Sequence, residues 1–289
     1  MAASSQPQPE IKFDALLPAE MATKAEAVGV NKATGNAAQL FALAILAGAF
    51  ISLGGVYATT VLAGTSSLPY GVQRLLAGLV FCLGLILVIV GGAELFTGNN
   101  LIIMAWASKK VTTAQLLRNW GIVYAGNFVG SVATAVVMYL SKQYAFGGGA
   151  VGLTALNIGN GKTALEFIPA VALGMMCNAM VCMAVWLCFS ARSTTDKILA
   201  ILFPISGFVA AGFEHSVANM YFVPVALFIK GGANADFWTA IGKTAGDYAG
   251  LTWGNFFLKN LIPVTLGNII GGAIMVGAIY WFIYLRKKK

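Results

Sequence analysis

The sequence predicts an all-α polytopic membrane protein with six transmembrane helices, arranged as an inverted repeat of three and three in which helices 2 and 5 are broken. Three observations predict it. The 289 residues are 58% hydrophobic and only 10% charged, against about 25% charged in soluble domains. Six long stretches carry almost no charge, and the polar residues that interrupt two of them recur at one spacing.

Taken in order, residues 33–73, 119–141, 167–191 and 260–285 contain no charge, while 75–108 is interrupted only by Glu94 and 198–229 only by Glu214 with His215. Each stretch meets or exceeds the roughly 20 apolar residues of a spanning helix. The second is too long to be one straight helix: 34 residues separate Arg74 from Lys109, about 51 Å at 1.5 Å per residue, where the hydrocarbon is roughly 30 Å thick. A break is expected where Gly91, Gly92, Glu94, Thr97, Gly98, Asn99 and Asn100 cluster. A second is expected at Gly207, Gly212, Glu214, His215, Ser216 and Asn219.

The two breaks share a pattern, Gly92-x-Glu94-x4-Asn99 and Gly212-x-Glu214-x4-Asn219. The third and sixth segments share another, Asn119-x6-Gly126-Asn127-x2-Gly130 and Asn260-x6-Gly267-Asn268-x2-Gly271. The first and fourth match loosely, Gly48 and Ser52 standing against Gly174 and Asn178. An odd number of helices per half forces the halves into opposite orientations, and in such proteins the binding site lies near the midplane where half-helices meet. Thr97 and Ser216 are placed to cap the second half-helices, aiming N-terminal partial positive charge at the centre, a polarity that favours an anion.

The chain divides into a cytoplasmic N-terminal segment with an amphipathic helix (1–35), a pore domain (36–285) and a basic cytoplasmic tail (286–289). With six spans both ends share a side, which carries 12 Lys and Arg against 6 on the other, so both termini are expected in the cytoplasm. The polar first thirty-odd residues lack the apolar run of a cleavable leader, and insertion is expected to use the first span. The net charge of +8 is dispersed among loops. The 286–289 cluster directly follows a span, which suits an anchor on anionic membrane lipid rather than a nucleic-acid surface. Cys82, Cys177, Cys182 and Cys188 all fall in apolar segments, where free cysteine behaves as a small hydrophobe; no disulfide, metal or cofactor is expected. Gly161-Lys162-Thr163 looks like the end of a phosphate-binding loop, but Leu156 stands where that motif needs glycine. A single histidine and no nucleotide fingerprint leave an enzyme without support.

His215 is the residue most able to carry chemistry, because an intramembrane ionisable group is costly to place. Two readings stand: a neutral ring satisfied by a carbonyl freed at the break, or a proton-exchanging pore residue, since an ordinary pKa near 6.5 lets small shifts change its charge. Glu94 and Glu214 occupy equivalent positions and are expected to support the breaks by accepting backbone N–H bonds. Phe81 and Leu85 share one helical face, toward a pore or a neighbouring helix.

The runs Ala93-Glu94-Leu95-Phe96-Thr97 and Gly212-Phe213-Glu214-His215-Ser216-Val217-Ala218-Asn219, with residues 260–272 and Leu16-Leu17-Pro18, resemble signatures of the formate-nitrite transporter family over nearly the whole chain. The resemblance implies an aquaporin-like fold in the bacterial cytoplasmic (inner) membrane. It implies a homopentamer with one pore per protomer and pH-dependent passage of formate, with other small monovalent anions possible. By position it implies an outer constriction of Phe81, Val181 and Phe208 and an inner one of Leu85 and Leu95. The polar centre would be Thr97 and His215, with Asn178 and Asn219 along the route and Lys162 attracting anions at the outer mouth. A nitrite or hydrosulfide channel and a non-conducting scaffold subunit are the competing readings; irregular backbone at membrane depth, tolerated only in protein or beside a cavity, counts against the scaffold.

Overall fold

The computed structural model describes residues 15–286; residues 1–14 of the N-terminal segment and Lys287 to Lys289 of the expected tail lie outside the described residues. The described residues are helical throughout, with no strand among them. In chain order they form α1 (Pro18–Thr34), α2 (Ala37–Leu62) and α3 (Tyr70–Gly91). After a break come α4 (Phe96–Asn99), a 3-10 turn (Asn100–Ile102) and α5 (Ile103–Ala107), then α6 (Thr113–Leu140). The second part follows the same order: α7 (Ala150–Thr163), α8 (Phe167–Ser190), α9 (Thr194–Ala210), a break, α10 (Ser216–Gly232) and α11 (Ala235–Ile241). The last stretch is continuous but unevenly wound, α12 (Trp253–Asn255), α13 (Ile262–Ile269) and α14 (Ile279–Tyr284) being joined by π-helical turns at Phe256–Leu261 and Ile270–Ala278.

Among the described residues five helical stretches are long and apolar enough to cross a membrane: α2, α3, α6, α8 and the stretch ending in α14. Their outward faces are apolar, Phe203 (76% exposed) and Leu140 (68%) among them. Apolar side chains this large and this exposed mark a surface that faces membrane or a neighbouring subunit.

Sequence accounts for where the helices stop. Asn36 accepts N–H bonds at the start of α2, and Thr112 with Gln115 and Ser193 with Asp196 form capping boxes for α6 and α9. Two backbone N–H groups, of Arg192 and Ser193, hold the Asp196 carboxyl below the usual carboxylate range. At the breaks Gly92 and Gly212 both take φ +77°, a left-handed turn that glycine enters without a Cβ penalty.

The core is built where α2 packs along α3 and α6, and α8 along α9 and α13. Glycine lets these backbones touch. A Cβ on Gly130 would overlap the Ile45 carbonyl, and one on Gly271 the Met175 carbonyl. These contacts correct the expected register of the first and fourth segments: Ala44 matches Gly174, so Gly48 stands against Asn178 and Ser52 against Cys182. The slip is about one helical turn, hidden in sequence because small residues recur there every four positions.

The amphipathic helix α1 does not stand off from the bundle. Met21, Ala22 and Ala25 are buried with Met104 and Trp186 and packed by Tyr280 and Trp281, Lys110 pairs with Glu26, and the Lys24 ammonium donates to the Phe189 carbonyl at 2.9 Å. The two described chain ends therefore share one face, here called the terminal face; α7 closes the opposite, distal face.

Because the atom that a Gly271 Cβ would meet is backbone, Gly271→Val is expected to cost about 1–3 kcal/mol or more, lowering the melting temperature of the detergent-solubilised protein. Gly121→Ala, where a Cβ meets nothing within 4 Å, should leave it unchanged or slightly raised.

Candidate functional site

A broken helix leaves backbone N–H and C=O groups without partners, and at membrane depth each must be satisfied by protein. Here one asparagine per break does this. Asn127 Nδ2 donates to the carbonyls of Ala44 (2.8 Å) and Glu94 (2.9 Å) and its Oδ1 accepts from the Phe96 N–H (2.9 Å), while the Glu94 N–H donates to Leu43 (3.2 Å). The second break repeats the frame. Asn268 Nδ2 donates to Gly174 (2.8 Å) and Glu214 (2.9 Å), its Oδ1 accepts from the Ser216 N–H (2.9 Å), and the Glu214 N–H donates to Leu173 (3.3 Å).

The carboxylates of Glu94 and Glu214 do not bond backbone N–H groups as expected. They turn outward to side-chain donors, because the asparagines already satisfy the backbone. Glu94 accepts from Lys32 (2.9 Å) and Asn99 (2.6 Å). Glu214 accepts from Lys162 (2.9 Å), Asn219 (2.7 Å) and Asn260 (3.2 Å). Asn119 and Asn260 complete the clusters by donating to the backbone carbonyls of Lys32 (2.9 Å) and Lys162 (3.1 Å). A buried carboxylate needs such partners, since its desolvation costs several kcal/mol. Lys162 sits in the last turn of α7 rather than in a loop. Sequence reasoning does not single out Lys32; the signal is that each lysine directly precedes the first long apolar helix of its half.

Each cluster stands at the mouth of a cavity. The distal cavity, about 320 Å³, is lined by Lys162, Glu214 and Asn219 with Arg74, and its floor is Phe81, Phe208 and His215. The terminal cavity, about 260 Å³, is lined by Lys32, Glu94 and Asn99, with Ala25, Val28 and Gly29 of α1, and its floor is Leu85 and Leu95. Between them lies a void of about 10 Å³ enclosed by Phe81, Leu85, Leu95, Val181, Phe208 and His215, with Ile51 and Ile205. Room for at most about one water separates the two cavities, so the path is closed at its centre. The two expected constrictions thus surround one point, with Phe81 and Phe208 edge to face at 5.8 Å.

His215 is the polar element of that point. Its ring stacks on Phe208 at 5.9 Å. Its Nδ1 accepts from the Ala218 N–H (3.1 Å) and its Nε2 meets Thr97 Oγ1 (3.0 Å). An accepting Nδ1 carries no proton, so the neutral ring holds its proton on Nε2 and donates to Thr97. Both ring nitrogens are satisfied, by an N–H and a hydroxyl rather than by a freed carbonyl. His215, not Ser216, is therefore the N-cap of α10, and Leu95 rather than Thr97 holds that position in α4; the extended residue immediately before each half-helix takes the cap. Asn178 lines neither cavity: its Nδ2 donates to Asn268 O (2.7 Å), Asn100 Oδ1 (3.0 Å) and Thr97 O (3.2 Å), tying α4, α8 and α13 together. Asn219 lines the distal cavity.

Two polar-mouthed cavities meeting at an apolar closure, inside a bundle whose outer surface is apolar, define a membrane pore protein for small solutes. The chain belongs to the formate/nitrite transporter family, whose model matches residues 19–282. It is 48% identical over 275 residues to the formate channel FocA of Escherichia coli K12, covering 95% of this chain and 96% of that protein. It is 43% identical over 263 residues to the formate channel FocA of Haemophilus influenzae, covering 91% and 93%. A solved pentameric formate channel with formate bound superposes with a TM-score of 0.81 at 46% identity, covering 86% of this chain and 98% of that one.

Since the two asparagine frames are alike, Asn127→Leu and Asn268→Leu should destabilise the solubilised protein by similar amounts, about 3 kcal/mol or more from several unpaired groups at about 1–3 kcal/mol each. Melting temperatures that fall in only one variant would show that the frames are not equivalent.

Proposed function

We propose that this protein is a pH-dependent formate channel of the bacterial cytoplasmic membrane, working as a homopentamer with one pore in each protomer. The observation that carries the reading is His215: one ionisable ring, hydrogen-bonded to Thr97, at the closure between two cavities with charged mouths. Sequence relatives named as formate channels and the likeness to a formate-bound pentamer support the substrate and the assembly.

The architecture that fits this reading is six spans in an inverted 3+3 repeat with an aquaporin-like arrangement, α3 with α4–α5 forming the second, broken span and α9 with α10 the fifth. The matching asparagine frames support it, as do the positions of α1 and α7 over opposite mouths. In this arrangement residues 1–35 form a cytoplasmic segment, 36–285 the pore domain and 286–289 the tail. The excess of Lys and Arg on the terminal face supports cytoplasmic termini.

In the proposed mechanism a formate anion enters the distal mouth and meets Lys162 at close range. It loses water at Phe81, Phe208 and Val181, and reaches Thr97 and His215. An anion cannot cross the apolar closure cheaply, whereas neutral formic acid can. A protonated His215 gives its proton to the carboxylate, leaving neutral imidazole and formic acid, which passes Leu85 and Leu95. Proton uptake at Nδ1 removes the acceptor for the Ala218 N–H, so charging the ring also releases the cap of α10.

Formate flux into proteoliposomes should change by up to about tenfold per pH unit around the histidine's titration, and His215→Ala should flatten that dependence. Nitrite run in parallel decides the competing reading: equal or faster nitrite flux makes this a nitrite channel, and no flux of either anion sinks the transport reading.

A further inference from the structure

The two mouths look alike in their lysine–glutamate pairs but differ in net charge. At the terminal mouth Lys32 is balanced by Glu94 and its Nζ is also held by Asn99 Oδ1 at 2.8 Å. At the distal mouth Lys162 is balanced by Glu214, and the cavity wall contains a second cation, Arg74. Among the described residues no carboxylate pairs with Arg74. Its guanidinium donates from Nε to the Ala210 carbonyl (3.3 Å) and from Nη2 to the Val209 carbonyl, the last carbonyls of α9 before the break. Those acceptors are neutral, and among the described residues no hydrogen-bond acceptor is found for Nη1. The lining of the distal cavity therefore carries a formal charge of +1, offset only in part by the negative end of the α9 dipole, and that of the terminal cavity carries none.

The distal cavity is also larger than formate requires. Its 320 Å³ is roughly the share of ten liquid waters, and its walls include the apolar Leu62, Leu165, Phe213 and Phe222 with the ring of Tyr70. Its floor opens only to the 10 Å³ void, which holds about one water, so the closure must widen for formate and must widen much further for an aryl body.

We propose that Arg74 makes the distal cavity a binding site for monocarboxylates larger than the transported anion, with an apolar or aryl body. The carboxylate pairs with the guanidinium, a geometry that arginine favours, and the body lies against Phe222 and Tyr70. Such a ligand binds, does not pass, and competes with the permeating anion, so Arg74 is both the long-range recruiter and the anchor of a plug. The inference rests on the formate reading above.

Benzoate is the probe. Wild-type proteoliposomes carrying formate should show competitive inhibition by benzoate, the apparent KM rising and the maximum rate holding. Arg74→Gln should weaken that inhibition about tenfold and raise the formate KM several-fold with little change in maximum rate. Because Arg74 also braces α9, a second variant leaves it in place: Tyr70→Glu sets a carboxylate one helical turn away and should have the same two effects. Benzoate that fails to inhibit wild type, or two variants with wild-type inhibition and KM, would overturn the proposal. If wild type carries no formate, the failure belongs to the transport reading, and calorimetric titration of benzoate into solubilised wild type and Arg74→Gln still decides on the site: binding lost in the variant upholds it, and equal or absent binding rejects it.

Discussion

Every feature of the pathway depends on the need to satisfy main-chain polar groups where a helix is interrupted in an apolar surround. A break without partners would cost about 1–3 kcal/mol for each buried group, and there are two breaks. Asn127 and Asn268, each wholly buried, meet that demand with one side chain apiece, because a carboxamide offers donors and an acceptor in one plane. With the backbone satisfied, Glu94 and Glu214 are free to face the mouths, and the residues just after them, Leu95 and His215, are delivered to the centre. The closure exists because the breaks are affordable.

Much of this was legible in the sequence. The length of 75–108 against bilayer thickness foretold the first break, and the paired spacings around Glu94 and Glu214 named the residues beside both. The apolar positions Phe81, Leu85, Leu95, Val181 and Phe208, taken from family resemblance, do meet around one void. What was not legible depends on distances between segments. Which atoms the two carboxylates bond follows from where Lys32 and Lys162 fall after folding, 62 and 52 residues away, and no local pattern encodes that. The cap at His215 was missed because threonine and serine are the usual caps, and an imidazole nitrogen accepting an N–H is a rarer solution to the same need. The register of α2 against α8 failed for another reason: small residues at every turn make neighbouring alignments look equivalent, and only backbone contact separates them.

The two breaks are informative where they depart from one another. Leu95 answers to His215 and Thr97 to Val217, so each half supplies one polar and one apolar residue at the same two places. The two polar ones meet at 3.0 Å. Two breaks with matching asparagine frames thus yield a single asymmetric hydrogen bond between them, the minimum needed to hold a proton in a known position.

Lys32 belongs to α1, outside the bundle proper, yet it is the cation against which Glu94 is balanced. Shortening the chain from its N-terminus past this residue is therefore not a neutral trimming of a peripheral helix. It would leave a carboxylate at one entrance with no cation to balance it, an electrostatic barrier to the very ions the pathway is read as passing, so a truncated form with low conductance would report a changed pore charge as much as the loss of a packed helix.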